Sequence, residues 1–149
     1  MPLKLTTYYR GKDIPDLPGT NTFHSKELFQ IYESTPGYTP LLIVAGRPVA
    51  RLLAAIRKTK KWLPSSLVKQ CVVYGAGEFL DTSLPASKEK EEEIFGEMLE
   101  HLTQEASRTC ILIEFRNLDN SMFGYRFFRK NDFFPVNWLR VCKSHESTL

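Results

Sequence analysis

Hydrophobic positions change period several times along the chain, and each change marks an element. Leu3 to Tyr9, "LKLTTYY", alternates loosely and is rich in β-branched and aromatic residues, which predicts a first strand. "GKDIPDLPGTN" follows as a loop, its prolines and glycines breaking any period. Ser25 is suited to cap a helix reaching about Ser34, with Leu28, Phe29, Ile31 and Tyr32 as its apolar stripe. "TPG" ends that helix, because Pro36 disfavours the helical conformation in the residue before it. "TPLLIVA" and "PVARLLAAIRK" then flank Gly46-Arg47 and read as a β-hairpin around a two-residue turn.

"KTKKWLPSS" is expected to connect this hairpin to a strand, "LVKQCVVYG". From Ser87 to Ser107, Ile94, Phe95, Met98, Leu99, Leu102 and Ala106 recur at helical spacing, behind acidic first turns that suit the positive end of a helix dipole. "TCILIEF" is almost continuously apolar, which predicts a strand buried on both faces. "SMFGYRFFRKNDF" reads as a short aromatic helix and "FPVNWLRVC" as a last strand. The order β-α-β-β-β-α-β-α-β places the chain in the α/β class in its α+β form. It predicts a mixed sheet with an antiparallel front and a parallel βαβ rear.

Composition narrows the classes without choosing among them. At 149 residues, with 42% hydrophobic and 25% charged residues, the chain fits one globular domain. "MPLKLTTYY" has no apolar core of a signal peptide and no run is long enough to span a bilayer, so a cytoplasmic location is expected. Cys71, Cys110 and Cys142 lie far apart in apolar runs and predict buried free thiols rather than a disulfide framework or metal site. A net charge of +3 is too small to imply DNA binding, but its distribution is uneven. Between Gly46 and Gly77 there is no acidic residue, while Arg47, Arg51, Arg57, Lys58, Lys60, Lys61 and Lys69 all fall there. Such a block suggests attraction to the acidic Lys88–Glu105 segment or a basic face aimed at an anion. "RKTKKW", Arg57 to Trp62, is a solvated loop or a clamp for an anionic head group at a membrane surface.

The element order, with "HSKELFQIYESTPGYTPLLIVAGRPVA", "VVYGAGEF" and "CILIEFRNL" followed by the aromatic helix, resembles the GNAT acyltransferases. More narrowly it is similar to the first of the two GNAT-like halves of the FemAB-type aminoacyltransferases, which add amino acids to peptidoglycan precursors. The resemblance implies one GNAT-like domain over residues 1–143 with a tail over 144–149. It further implies a substrate-recognition half that works beside a second GNAT-like half, in cis or as a homodimer. The expected partner is a peptidoglycan precursor or another amine acceptor. The chemistry implied is attack of that amine on an activated ester. A stand-alone N-acetyltransferase using acetyl-CoA and a non-catalytic binding module are the competing expectations.

The glycines of "VVYGAGEFLD" invite a phosphate-cradle reading. An acyl-CoA loop of the GNAT type needs Gln or Arg three residues before the first glycine and a helix directly after the last. Val72 occupies the first of these positions, Glu78 sits beside the glycines, and the helix waits until about Ser87. The third glycine of a dinucleotide fingerprint is also missing. A strand-end turn that permits close approach of a ligand or backbone is expected instead, with no cofactor and no metal. The resemblance implies that this loop helps line the precursor groove, through Tyr74, Gly75, Gly77 and Glu78. Glu114 and Arg116 alternate onto one strand face, so Arg116 and Asn117 can meet a carboxylate or phosphate, or Arg116 can join an internal ion pair. His24, His101 and His145 share no catalytic spacing; His101 is expected to face solvent, and no catalytic residue is identified. Tyr125, Phe127, Phe128 and Phe133 are expected in the core.

Overall fold

A computed structural model describes residues 4–46, 49–58, 69–80, 88–120 and 122–135. Its centre is a mixed, open sheet of six strands: β1 (Leu5–Tyr8), β2 (Tyr38–Ala45), β3 (Ala50–Lys58), β4 (Lys69–Tyr74), β5 (Glu78–Phe79) and β6 (Leu112–Arg116). The spatial order is β1-β2-β3-β4-β6, with β5 paired to β3. All pairings are antiparallel except β4 with β6, which is parallel. Three α-helices complete the described fold: α1 (Lys26–Ser34), α2 (Lys88–Ala106) and α3 (Tyr125–Lys130). The antiparallel front and the parallel β4–α2–β6 rear match the expected arrangement. All of the expected strand 134–142 after Pro135 and the "TKKW" part of the basic loop lie outside the described residues, as do Cys142, His145 and the 144–149 tail.

Alternation along the strands divides the core in two. Leu41, Ile43, Ala45, Ala50, Leu52, Ala54, Cys71 and Val73 face α2, whose Ile94, Met98, Leu102 and Ala106 are buried against them. Leu42, Val44 and Leu53 face the other way, onto Phe29 of α1 and Ile14. Ser25 caps α1 as expected, its Oγ accepting from Leu28 N at 3.1 Å. Only Phe29 of the α1 stripe is fully buried, and Ile31 is 59% exposed, because the short helix crosses the sheet on one narrow line.

Several expectations need correction. The β2–β3 hairpin closes at the Ala45–Ala50 pair, with four residues between them rather than the expected two. "TCILIEF" is not buried on both faces: Ile111 and Leu112 are 71% and 53% exposed. Among the described residues β6 has only β4 as a neighbour, and Thr109 and Cys110 belong to the turn closing α2, both donating to the Ala106 carbonyl. Cys71 is fully buried but Cys110 only half-buried. His101 is half-buried, its Nε2 2.7 Å from Thr7 Oγ1. Tyr125 faces solvent, 42% exposed. No helix among the described residues is long and apolar enough to cross a membrane.

Aromatic rings lock α2, β6 and α3 together. Phe95 is fully buried, with Phe115, Phe123 and Phe128 at centroid distances of 5.9, 5.6 and 5.3 Å. Phe133 adds edge contacts to Phe115 and Phe128. Edge-to-face geometry of this kind adds to the simple area term. Phe95→Ala is expected to cost about 3–5 kcal/mol of unfolding free energy, measured by denaturant titration of the full chain.

Candidate functional site

The glycine segment is an interruption within one long strand. Val73 pairs with Ala54, and Glu78 pairs with Arg51. Between these pairs β3 uses two residues, 52 and 53, while the opposite chain uses four, 74–77. β4 and β5 are therefore one strand with a two-residue bulge. Gly75 and Gly77 absorb it with φ of 81° and 87°, in the left-handed region that glycine enters without strain. Gly77 also lies so near β3 that a Cβ there would meet Arg51 O at 2.8 Å.

A bulge leaves ladder groups without strand partners. His24 supplies one: its Nδ1 accepts the Leu53 N–H at 3.0 Å, deep in the sheet. The ring is fully buried, and its Nε2 has no hydrogen-bond partner. Burial pushes the His24 pKa down to about 4, and the nearby Arg51 charge acts the same way, against opposing pulls from the Tyr74 backbone and Glu78. Geometry requires Nδ1 to be the acceptor, so the neutral ring carries its proton on Nε2.

Glu78 completes the clasp. Its Oε1 accepts from Arg51 Nε and Nη2 at 2.9 and 2.6 Å, and its Oε2 from Thr20 and Asn21 N–H at 2.9 and 2.8 Å. The two side chains are 5% and 14% exposed. Burial alone would raise the Glu78 carboxyl, but the Asn21 and Thr20 bonds together with Arg51 outweigh it and hold it below its ordinary value. Residues 19–24 are thus strapped over the bulge, and Phe23 stacks on Tyr74 at 5.6 Å. A cavity of about 360 Å³ lies beside the strap, lined by Ile14, Leu17, Thr20, Thr22, Lys26 and Arg51. Its two cations are engaged elsewhere, Arg51 with Glu78 and Lys26 with the Ile14 carbonyl at 2.9 Å.

The expected site residues therefore separate into two groups. Tyr74, Gly75, Arg116 and Asn117 come together at the carboxyl ends of the parallel pair, where Tyr74 lies opposite Arg116 and Gly75 N–H donates to Arg116 O at 2.7 Å. Glu78 and Gly77 lie across the bulge, turned toward Arg51 and the strap. Glu114 and Arg116 do share a face, and they pair with each other at 2.9 and 3.1 Å. That bond holds Arg116 more firmly protonated than usual, against a modest opposing effect of burial. Gln70 Nε2 donates to Glu114 at 2.6 Å and its Oε1 accepts from Arg57 Nη2 at 3.3 Å. A polar ladder, Arg57–Gln70–Glu114–Arg116, thus crosses three strands on the face that α1 shares.

Sequence reasoning gave His24 and Arg51 no site role and met Arg57 only as the start of a basic clamp, Arg57 to Trp62. Arg51 carried a faint signal, since an isolated arginine inside an apolar run calls for a buried partner. Among the described residues no three of His, Cys, Asp and Glu converge as a metal site requires.

Two expectations follow from the clasp. Glu78→Gln strands a buried guanidinium and is expected to lower stability by about 3 kcal/mol or more, whereas replacing Arg51 and Glu78 together by apolar residues costs less; denaturant melts of both variants check this. His24 has a depressed folded pKa, so its contribution is fully present above the unfolded value of 6.5 and is lost as pH falls through about 4. The loss amounts to about 3 kcal/mol. His24→Asn keeps an acceptor for Leu53 N–H without the titration, so its stability is expected to vary less between pH 6.5 and 4 than the parent's.

No family model, curated protein or solved structure gives a significant match to the chain, so its functional reading rests on this geometry and on the sequence.

Proposed function

We propose that the chain is the acceptor-recognition half of a FemAB-type aminoacyl- or acyltransferase built on the GNAT fold. It acts on an amine of a cell-wall precursor or related acceptor and depends on a second GNAT-like half, in cis or from another copy, for transfer. The observation that carries this reading is the state of the glycine segment. Gly75 N–H is bonded to Arg116 O, and both oxygens of Glu78 are filled by Arg51, Thr20 and Asn21. A pyrophosphate cradle needs several convergent free N–H groups. A bulge filled from within instead stiffens the strand end beside Tyr74 and Arg116, where ligands of open sheets with parallel strands gather.

In this reading the chain's residues bind and orient rather than react. Tyr74, flanked by Phe23, offers a flat aromatic wall to the acceptor. Arg116 and Asn117 offer donors to a carboxylate or amide of its peptide, and Glu114 steadies Arg116. The amine then attacks an activated ester presented by the second half, which is the chemistry that the resemblance implies. The element order, with its parallel β4–α2–β6 rear, also supports the family reading.

Isothermal titration with acetyl-CoA separates this reading from a stand-alone acetyltransferase. Loss of two or three charge-assisted bonds is expected to weaken binding about a hundredfold or more relative to a low-micromolar site. Low-micromolar affinity would favour the acetyltransferase. NMR titration with a peptidoglycan precursor is expected to shift Tyr74, Gly75, Arg116 and Asn117; shifts confined to the opposite end of the sheet would count against the recognition half.

A further inference from the structure

Among the described residues, Arg57 is a cation without an anion. Its side chain is half-buried near the end of β3, its Nε is shielded from water, and that Nε has no hydrogen-bond partner. Its one side-chain bond among the described residues is a 3.3 Å contact from Nη2 to the neutral carbonyl of Gln70. The nearest carboxylate along the ladder, Glu114, is already filled by Gln70 Nε2 and bidentate Arg116. Gln70, itself 7% exposed, stands between them and turns its acceptor to Arg57 and its donor to Glu114. Residues 59–68, which join β3 to β4, contain two lysines and no acid. A guanidinium held in a partly dry setting is costly unless something negative meets it.

The surroundings define the shape of what fits. Arg57 lies directly opposite Tyr38 on β2, and Tyr38 stacks on Tyr32 of α1 at 5.6 Å with the rings 14° apart. Lys58 and Lys69 alternate onto the other face of the sheet, so on this face Arg57 and the Glu114–Arg116 pair leave one net positive charge. One charge, a planar fork and a stacked aromatic wall match a planar monoanion better than a compact dianion.

We propose that Arg57, backed by Gln70 and bordered by Tyr32 and Tyr38, forms a binding subsite for the carboxylate of an organic acid or peptide. The ligand's two oxygens face the guanidinium and its apolar or aromatic body lies along the tyrosine pair. The subsite accounts for the unused cation in the acid-free block from Gly46 to Gly77, and it stands whether or not the chain belongs to a transferase.

Benzoate serves as the probe, with benzamide as its neutral counterpart and inorganic phosphate at matched ionic strength as the dianion. Nitrogen-15 spectra of the full chain follow the Arg57 Nε–H and the Gln70 side-chain amide. Benzoate is expected to give saturable shifts at both groups, benzamide none, and phosphate weaker ones. Arg57→Gln is expected to weaken benzoate about tenfold or more. Arg57→Lys, which keeps the charge without the fork, is expected to weaken it by a smaller factor and serves if the glutamine variant does not fold. Equal binding of benzoate and benzamide, phosphate binding as tight as benzoate, or an unchanged affinity in Arg57→Lys would each overturn the proposal. Benzoate is not a cell-wall ligand and carries no amine, so failure here leaves the transferase reading intact, and failure of the precursor titration leaves this one.

Discussion

A strand two residues longer than the stretch it pairs with has to put the surplus somewhere, and most of the unusual chemistry of this chain follows from where the surplus goes. At 74–77 the excess is pushed out of the ladder, β3 loses a partner for Leu53, and a hole opens in the sheet. A histidine ring fills it from the α1 side, and a carboxylate at the far end of the bulge draws the 19–24 strap down over it. Each group answers a deficit created by another. His24 serves an orphaned N–H, Glu78 neutralises Arg51, and the strap N–H groups fill the remaining lone pairs of Glu78. Removing one member exposes the rest, which is why a surface-looking glycine loop is tied to fully buried residues.

The two faces of the sheet divide the labour. The α2 face is mainly apolar where it packs on the helix and ends in the Phe95 ring cluster, so it supplies cohesion. On the other face α1 packs onto Leu42, Val44 and Leu53, and the ladder from Arg57 to Arg116 runs across β3, β4 and β6. The ladder's polar groups bond sideways, strand to strand, except Arg57 Nε. Arg116 and part of Arg57 remain accessible while Gln70 stays buried between the strands.

Long elements were readable from the sequence because period and burial agree in them. α2 shows all six of its expected apolar positions buried, and Ser25 caps α1 by the bond its side chain predicts. Errors arose where tertiary context outweighs local pattern. "TCILIEF" is apolar enough for a two-sided strand, yet Ile111 and Leu112 lie on the outer edge of β4's partner, a position that no periodicity reports. The bulge was half legible: two glycines close together signalled a break in the strand, but not that the strand resumes on the same neighbour. Nothing local tells that Glu78 will find Arg51, because that pairing depends on a register sum spanning 27 residues. Glu114 with Arg116 was legible as a shared face, since alternation alone sets it.

The strap also has a consequence in time. His24 meets a residue 29 positions away, and Thr20 and Asn21 meet one 58 and 57 positions away. The His24 contact needs β3 in place, and the Thr20 and Asn21 contacts also need the chain to have returned along it as β5, so loop-closure entropy delays them behind the hairpin that they cover. Late-forming contacts at a chain's periphery are also the first to be released in local opening. The Leu53 amide sits in the middle strand of the sheet, yet its protection from solvent exchange is set by a side chain on the strap. In exchange terms that amide belongs to the strap, and its lifetime reads out how often the chain lifts residues 19–24 away from the sheet.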